Sequence, residues 1–352
     1  MEAINGSETS TLYSEIKNDS IDDQSWSIEV LQFEVPFLLA VIFIATIGNI
    51  LVIVIYSKKA LRKSNAALYV FNLAIGDLFA VGVAVFHVTE FYPSTWPILW
   101  RYNAQCILHR WCRYTAFNIT VFLMVAIAVD RYYAVCQPIK FKTNCTLRRT
   151  KRIIGILWFL AILSTALQSY NFQVEYNKLN VFRGYAGRSK FACRLGKLPA
   201  KWFIYVKTTY ANVLLFYVPV TVTGLIYVII IATVWKRKHG IFKHSTSRDI
   251  NMHVRTACTL CIVFVAYVSC YTFYGTFNLL LASPKHRKLK PLVKNIGLMM
   301  PFFNSCLNPL IYSFFNSTFR NHLLKMFCKR KCHGHQTRKR KPDNKHNPRL
   351  AH

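Results

Sequence analysis

Residues 208–235 read TTYANVLLFYVPVTVTGLIYVIIIATVW, and this stretch contains no Asp, Glu, Lys or Arg. A helix rises about 1.5 Å per residue, so a helix of this length crosses the roughly 30 Å hydrocarbon core of a bilayer. Backbone groups inside lipid must bond to one another, which favours a helix here despite the many β-branched residues. Four other uncharged runs of similar length occur, at residues 35–57, 153–174, 256–284 and 295–319.

Two further apolar segments contain isolated charges and bring the predicted number of spans to seven. Residues 66–89 include Asp77, and residues 103–129 include Arg110 and Arg113. The sequence therefore predicts an all-α membrane protein, a seven-transmembrane helix bundle. We predict its helices at residues 34–57, 66–90, 103–135, 150–171, 204–235, 250–282 and 292–315.

A short amphipathic eighth helix is predicted after the last span. Residues 316–328 place apolar side chains at helical spacing among basic ones, as in a helix that lies on a membrane surface. The predicted organisation is an extracellular acidic N-terminus (residues 1–33), a seven-transmembrane domain (34–315), this amphipathic helix (316–328) and a basic cytoplasmic tail (329–352).

The formal net charge of +31 is concentrated in a few segments. If the N-terminus is extracellular, these segments all lie on the cytoplasmic side, as the positive-inside rule requires. Anionic lipids at that surface are then the expected membrane partners. A nucleic-acid partner is not expected, because no soluble domain exists to bind it. The basic segments are residues 58–63, 140–152, 236–255 and 320–349.

The compartments predicted for each segment also assign covalent modifications. Cys106 and Cys193 both fall outside, where oxidising conditions favour a disulfide between them. Asn5 and Asn18 lie in extracellular Asn-x-Ser/Thr sequences, which makes them glycosylation sites unless the matches arise by chance. Two cytoplasmic cysteines after the amphipathic helix, Cys328 and Cys332, are either palmitoylated or unmodified.

Short motifs at matching places on successive predicted helices resemble those of rhodopsin-like (class A) G-protein-coupled receptors over roughly residues 35–330. The resemblance implies a plasma-membrane receptor of the neuropeptide-receptor type, coupled to a heterotrimeric G protein, and arrestin is a candidate further partner. The motifs are Gly48-Asn49, Asn72-Leu73-Ala74 with Asp77, Asp130-Arg131-Tyr132, Trp158, Pro219 with Tyr227, and Asn308-Pro309-Leu310-Ile311-Tyr312.

The sixth predicted helix departs from that resemblance. The family's Cys-Trp-x-Pro is here Cys270-Tyr271-Thr272-Phe273, and Tyr267 replaces a Phe one turn earlier. His253 stands where some relatives pair a Glu with the arginine of the third helix. These departures leave open a receptor with raised basal activity and an atypical receptor that does not couple.

Asp77 is a carboxylate within an apolar span, which costs about 2.5–3.5 kcal/mol at mid-membrane on insertion scales. It therefore needs polar partners from neighbouring helices. The resemblance implies that such a cluster binds an allosteric sodium ion, and no other metal or cofactor is expected. The alternative is a polar knot that only holds helices together. Its predicted members are Asn49, Asp77, Thr120, Asn304, Ser305 and Asn308.

Asp130 and Arg131 lie where the third helix reaches the cytosol. A buried Arg needs a partner, and its release would open a docking surface for another protein. The alternative is a snorkelling charge at the membrane edge. The resemblance implies an activation switch made of Asp130, Arg131, Tyr132, Tyr227, Tyr267 and Tyr312, and G-protein contacts at Arg131 and Ile139.

Basic residues near the outer ends of the helices predict an anionic ligand. Arg110 and Arg113 are three residues apart and share a helix face, and Arg can bind a carboxylate through two hydrogen bonds. A peptide and a small anion such as a nucleotide, carboxylic acid or lipid acid both fit, although the acidic N-terminus could instead neutralise these cations. The predicted ligand-binding residues are Arg110, Arg113, Lys207, Tyr271 and Tyr274.

A channel or transporter is the alternative from another class, and it predicts charge flux without a G protein. An enzyme is not expected, because the sequence offers no nucleophile–base pair and no catalytic metal-ligand set. Few Ser or Thr residues follow the seventh helix, which predicts weak arrestin recruitment by the tail.

Overall fold

The computed structural model describes residues 35–58, 64–89, 102–176, 191–196, 209–238, 248–282 and 291–327, together with residues 33, 203, 206 and 207. The predicted glycosylation sites Asn5 and Asn18, the palmitoylation sites Cys328 and Cys332, and the tail at 329–352 lie outside the described residues.

Seven long helices form a bundle, which confirms the predicted fold. Six of them are long and apolar enough to span a membrane by length and composition, and the seventh, α8, contains residues 295–315 of the uncharged run that begins at residue 295. The helices are α1 (Val35–Tyr56), α2 (Asn65–Thr89), α3 (Asn103–Cys136), α4 (Pro138–Asn144), α5 (Leu147–Ser169), α6 (Val218–Lys238), α7 (Arg248–Ala282), α8 (Pro291–Phe315) and α9 (Ser317–Phe327).

The central helix is α3, which packs against α2, α5, α6 and α7. Its middle stretch from Thr115 to Val121 is buried without interruption, as expected for a helix surrounded by other helices. By contrast, α5 buries few residues and exposes large apolar side chains such as Phe159 and Leu163. That surface is suited to contact with lipid.

The short helix α9 is the predicted amphipathic eighth helix. Asn316 begins it: its side-chain oxygen accepts a hydrogen bond from the backbone N–H of Phe319, as at a typical helix N-cap. The buried ring of Phe319 stacks on Tyr56 of α1 at 6.3 Å, and Asn316 donates to the Tyr56 hydroxyl at 3.2 Å. These contacts fix α9 against the cytoplasmic end of α1.

Three features were not predicted from the sequence: a short helix, a pair of strands and a π-helix. The helix α4 begins at Pro138, a residue well suited to the first turn because it lacks a backbone N–H. Two antiparallel strands, β1 (Phe172–Tyr176) and β2 (Phe191–Leu195), pair so that Val174 lies opposite Cys193. Asn171 takes φ 63°, which turns the chain from the end of α5 into β1.

The third unpredicted element is a π-helix at Tyr210–Tyr217, directly before α6. The N–H of Val218 bonds to the carbonyl of Val213, five residues earlier. Pro219 follows at once, and in an α-helix its ring would clash with the carbonyl four residues before it. The wider π-turn relieves that clash, so the proline explains where the π-helix ends.

Helices α1 and α8 approach closely at Gly48. A methyl group at Gly48 would lie 2.6 Å from Cβ of Pro309, so only glycine permits this contact. Pro309 has no N–H to donate to the carbonyl of Ser305, four residues earlier in α8. Asn49 supplies the missing donor through its amide at 2.9 Å. The Gly48-Asn49 pair thus fits α1 to the proline of α8.

Candidate functional site

The β-hairpin covers the outer end of α3. The predicted disulfide joins Cys106 of α3 to Cys193 of β2 and is present in the structure. Asn103, at the first turn of α3, accepts a hydrogen bond from the backbone N–H of Val174 at 2.8 Å. One covalent and one polar attachment therefore hold the hairpin over α3.

Two of the predicted ligand-binding cations converge on Phe172 of β1. Arg110 lies 5.2 Å from its ring centroid and donates to the carbonyl of Cys193 at 3.1 Å. Lys207 lies 4.6 Å from the same centroid and donates to the carbonyl of Tyr170 at 2.9 Å. Both cations are engaged by an aromatic face and a backbone oxygen, so they hold the hairpin in place.

Arg113 lies in a different environment, although it shares a helix with Arg110. It is 3% exposed, and its guanidinium lies 5.7 Å from the ring of Phe117 and 5.4 Å from the ring of Phe302 on α8. The structure thus separates the predicted cations into a pair at the hairpin and one buried within the bundle.

The predicted aromatic ligand residues gather around Phe117, one turn below Arg113. Phe117 meets Tyr271 edge-on at 5.7 Å and Tyr274 at 5.9 Å, both on α7. The Tyr271 ring lies 4.3 Å from that of Tyr267, one turn further toward the cytosol. Buried Arg113 and the tyrosines of α7 therefore belong to one cluster at the centre of the outer half of the bundle.

The carboxylate of Asp77 is 1% exposed and lies between α2 and α8. Asn308 donates to it at 2.8 Å, and the Ser305 side chain also hydrogen-bonds to it. Two other predicted members bond elsewhere: Thr120 donates to the carbonyl of Ala116, and Asn49 to those of Ala45 and Ser305. The direct partners of Asp77 described by the structure therefore come from α8.

Several buried oxygens around this cluster accept no hydrogen bond from any residue that the structure describes. They are the side-chain carbonyls of Asn49, Asn304 and Asn308. Oxygen atoms that accept but do not donate, beside a carboxylate, are the ligands that hard cations prefer. The residues present therefore fit the sodium ion that the sequence resemblance implies.

Arg131 is 2% exposed at the cytoplasmic end of α3. Its side chain forms a salt bridge with Asp130, in which Nε donates at 3.1 Å. Asp130 also accepts from Asn65 at the start of α2 at 3.3 Å, and Asn65 donates to the carbonyl of Cys145 at 2.7 Å. Two helices and the loop before α5 thus support the paired state of Arg131.

His253 of α7 contacts this arginine directly. Its Nδ1 lies 3.5 Å from Nη1 of Arg131, and its ring meets that of Phe141 on α4 edge-on at 5.3 Å. His253, which stands where some rhodopsin-like receptors carry a Glu, therefore lies at the contact between α3 and α7. Burial of Cys145 raises the pKa of its thiol, and the nearby carboxylate of Asp130 raises it further, so this thiol stays protonated.

The tyrosines of the predicted switch do not reach Arg131 in this arrangement. The hydroxyls of Tyr227, Tyr267 and Tyr312 are buried and meet no hydrogen-bond partner among the described residues. Tyr227 instead stacks on Phe264 of α7 at 5.4 Å, and the hydroxyl of Tyr132 accepts from Gln137 at 2.8 Å. Arg131 is therefore held by Asp130, and none of these tyrosine hydroxyls bonds to it.

Ile139 lies on α4 next to this region and is 82% exposed. An aliphatic side chain so exposed at the cytoplasmic end of the bundle is available to a partner protein. The predicted G-protein contact is therefore accessible, whereas Arg131 is not.

Sequence reasoning missed several residues of these sites. Phe117 follows Arg113 by four residues, a spacing that places both on one helix face and could have identified it. Phe172 and Asn65 had no such signal, because their roles depend on contacts made across the fold.

Comparisons with known proteins agree with this architecture. The profile of the 7 transmembrane receptor (rhodopsin family) matches residues 48–312. Growth hormone secretagogue receptor type 1 of Sus scrofa is 21% identical over 296 residues, covering 82% of this chain and 78% of the relative. G-protein coupled estrogen receptor 1 of Danio rerio is 27% identical over 301 residues, covering 82% of this chain and 77% of the relative. Neuropeptide S receptor of Rattus norvegicus is 22% identical over 329 residues, covering 85% and 82%.

Proposed function

Because the chain belongs to the 7 transmembrane receptors of the rhodopsin family, we propose that it converts the binding of an extracellular peptide into activation of a heterotrimeric G protein. It is a multi-pass protein of the plasma membrane, and its family is one of receptors rather than enzymes. The name of one relative, a neuropeptide S receptor, supports a peptide ligand.

The observation that carries the ligand proposal is the buried Arg113 between Phe117 and Phe302. A guanidinium in a low-dielectric aromatic cluster attracts a carboxylate strongly and can bind it through two parallel hydrogen bonds. A peptide with an acidic side chain or a free C-terminal carboxylate would supply that group. Arg110 and Lys207 would attract the approaching anion from the rim while they hold the hairpin.

Aromatic contacts along α7 offer a route from this site to the cytoplasmic end. Phe117 touches Tyr271, Tyr271 touches Tyr267, and Tyr267 lies 6.3 Å from Phe216 of the π-helix. One turn further, Phe264 packs on Tyr227 of α6. A ligand that shifts Phe117 would therefore move α7 through ring contacts, without the proline that usually bends this helix.

Asp77, Ser305, Asn304 and Asn308 are the residues that would hold a sodium ion. A bound cation would stabilise the ionised carboxylate between α2 and α8. Thermal stability in sodium and in choline salts tests this: sodium should stabilise the wild type, and the Asp77→Asn variant should lose that effect. Equal stability of the wild type in both salts would leave the cluster as a purely structural knot.

The direct test of function is ligand-evoked G-protein activation in cells, with surface expression measured for every variant. Arg131→Ala should abolish the response, and Arg113→Gln should reduce potency for acidic peptides. A matched control is Arg255→Gln, which removes an exposed cation from α7 near the cytosol. A current or substrate flux that persists in Arg131→Ala would favour the channel or transporter alternative.

A small anionic ligand is the second candidate, because Arg113 could bind any carboxylate or phosphate. Stepwise shortening of an active peptide from the end far from its charged group distinguishes the two. Steady loss of potency supports a peptide, whereas full potency of a short acidic fragment supports a small anion. Arrestin recruitment, which the few hydroxyl residues after α8 predict to be weak, can be measured in the same cells.

A further inference from the structure

Two cations at the outer end of the bundle share one aromatic ring. The guanidinium of Arg110 lies 5.2 Å from the ring centroid of Phe172, and the ammonium of Lys207 lies 4.6 Å from it. Their hydrogen bonds go to backbone carbonyls, which carry no net charge. Neither cation forms an ion pair with any side chain that the structure describes. Arg110 and Lys207, the outer cation pair, are therefore balanced only by dipoles and a ring.

The ionisation of Lys207, which precedes the membrane span that begins at Tyr210, reflects this imbalance. Burial, and to a smaller extent the charge of Arg110, lowers the pKa of Lys207 to about 8. A nearby carboxylate would act in the opposite direction, because it stabilises the charged form of a lysine. Among the described residues no carboxylate does so. An added carboxylate would therefore stabilise both members of the outer cation pair.

The extracellular segments of the chain differ in the sign of their charge. Residues 90–102, 170–207 and 283–291 together carry thirteen Lys and Arg against two acidic residues. The N-terminal segment, residues 1–33, carries seven acidic residues against one Lys. The largest supply of carboxylates on this side of the membrane is therefore the N-terminal segment. Three of its acids fall within five residues and form an aspartate triplet: Asp19, Asp22 and Asp23.

The chain between the aspartate triplet and α1 is long enough to reach α3. Asp23 precedes Val35, the first residue of α1, by twelve positions, and an extended chain of that length spans about 40 Å. Helix α1 contacts α8, α8 contacts α2, and α2 contacts α3. Packed helices lie about 8–10 Å apart, so these three steps amount to about 30 Å at most. A tether of this kind keeps the carboxylates at a roughly millimolar effective concentration near α3.

We propose that the aspartate triplet docks on the outer cation pair and acts as an internal competitor of the ligand. Arg110 lies one turn nearer the outer end of α3 than Arg113, so a segment bound there lies on the path of an anion that approaches Arg113. Exposed ion pairs are individually weak, and a ligand can therefore displace the segment. The competition rests on the proposed function, because it concerns the ligand site, whereas the docking does not.

A cross-link of zero length tests the docking without any ligand. A water-soluble carbodiimide activates a carboxylate, and a lysine amine in contact with that carboxylate then forms an amide. In the full-length receptor in phosphatidylcholine nanodiscs, mass spectrometry should find Lys207 joined to a member of the aspartate triplet. Lys207→Arg keeps the charge but lacks the reactive amine, so this product should disappear. Attachment of Lys207 to Glu90 or Glu175 instead, or no cross-link at Lys207, would overturn the docking.

Binding of a fluorescent hexaglutamate peptide to the same nanodiscs measures the competition. The triple variant Asp19→Asn, Asp22→Asn, Asp23→Gln removes three negative charges; Gln is used at 23 because Asn before Gln24-Ser25 would create a new glycosylation sequence. This variant should bind hexaglutamate roughly fivefold more tightly than the wild type, a factor that corresponds to about 1 kcal/mol. Thermal unfolding, measured in parallel, verifies that each variant is folded.

The matched control removes three negative charges farther from α1: Glu2→Gln, Glu8→Gln, Glu15→Gln. It should bind hexaglutamate as the wild type does. Equal tightening in both triple variants would assign the effect to net charge and overturn the specific docking. Equal binding by the wild type and the aspartate variant would overturn the competition. A cross-link to the aspartate triplet without hexaglutamate binding to any variant would support the docking and refute the proposed anionic ligand site.

Discussion

The contact between Arg131 and His253 gives a quantitative prediction for the variant His253→Glu. The present contact, 3.5 Å between Nη1 of Arg131 and Nδ1 of His253, is at the limit of a hydrogen bond. A carboxylate there would add a charge pair between α3 and α7. Two unit charges 4 Å apart attract by about 4 kcal/mol at an effective dielectric constant of about 20.

Much of that attraction is offset, because Asp130 already neutralises Arg131 and would repel the new carboxylate. Hydrogen bonds to charged groups contribute about 1.5–3 kcal/mol net, and we take the lower figure. This corresponds to roughly tenfold lower occupancy of any state in which α3 and α7 separate. Ligand-independent G-protein activation at matched surface expression should therefore fall by roughly tenfold, and the purified receptor should unfold at a higher temperature.

The control is Met252→Glu, which adds the same charge at the preceding, exposed position of α7. It should change neither basal activity nor melting temperature. The reasoning is refuted if His253→Glu leaves basal activity unchanged, or if Met252→Glu lowers it as much. The second outcome would mean that negative charge anywhere on this end of α7 acts, without a specific pairing to Arg131.

Three further predictions follow from contacts in the bundle. Gly48→Ala should lower stability by about 1–3 kcal/mol, because the added methyl group overlaps Cβ and Cγ of Pro309. Pro309→Gly removes both of these atoms and should therefore remove part of that cost in the double variant. Melting curves of the two single variants and the double variant measure it, and an additive double variant would contradict the contact. The potency of a carboxylate ligand should be lower at Arg113→Lys than at the wild type and lower still at Arg113→Gln, because Lys keeps the charge but loses the two-bond geometry. Concentration–response curves measure these potencies, and equal potency at both variants would argue against a charge contact. Cys106→Ser should reduce stability by up to about 4–5 kcal/mol, since the disulfide closes a loop with a sequence separation of 87. Under reducing conditions the wild type and the variant should have the same melting temperature, and a remaining difference would assign the effect to packing.

The spans were predictable because lipid imposes a simple rule on the sequence. A segment inside the bilayer must satisfy its own backbone and avoid charge, so uncharged runs such as residues 208–235 reveal their helices directly. The ends of the helices were less certain. Helix α5 begins at Leu147, not near residue 150 as predicted, because Thr146 caps it by accepting a hydrogen bond from the N–H of Arg149.

The partners of individual polar residues were only partly predictable. Five residues were expected as partners of Asp77 because a carboxylate in an apolar span needs polar neighbours, and two of them, Asn308 and Ser305, hydrogen-bond to it. Arg110 and Lys207 were grouped with Arg113 because charge and spacing alone do not distinguish them. Their actual partners include backbone carbonyls of Cys193 and Tyr170, and no pattern of side chains predicts contacts to a backbone oxygen.

The π-helix before α6 has a consequence for how this chain is aligned with its relatives. A helix of 3.6 residues per turn rotates by about 100° per residue. One additional residue in a turn therefore rotates the side chains that precede it by about 100° around the helix axis. Counting backward from Pro219 as though the helix were regular would therefore assign the wrong face to the residues at its outer end. Tyr210, which donates to the carbonyl of Ser164 on α5 at 3.1 Å, would be compared with a residue that points elsewhere. Equivalences across this segment should be assigned from three-dimensional superposition, and deletion of one residue from Tyr210–Tyr217 should break the link between Tyr210 and Ser164.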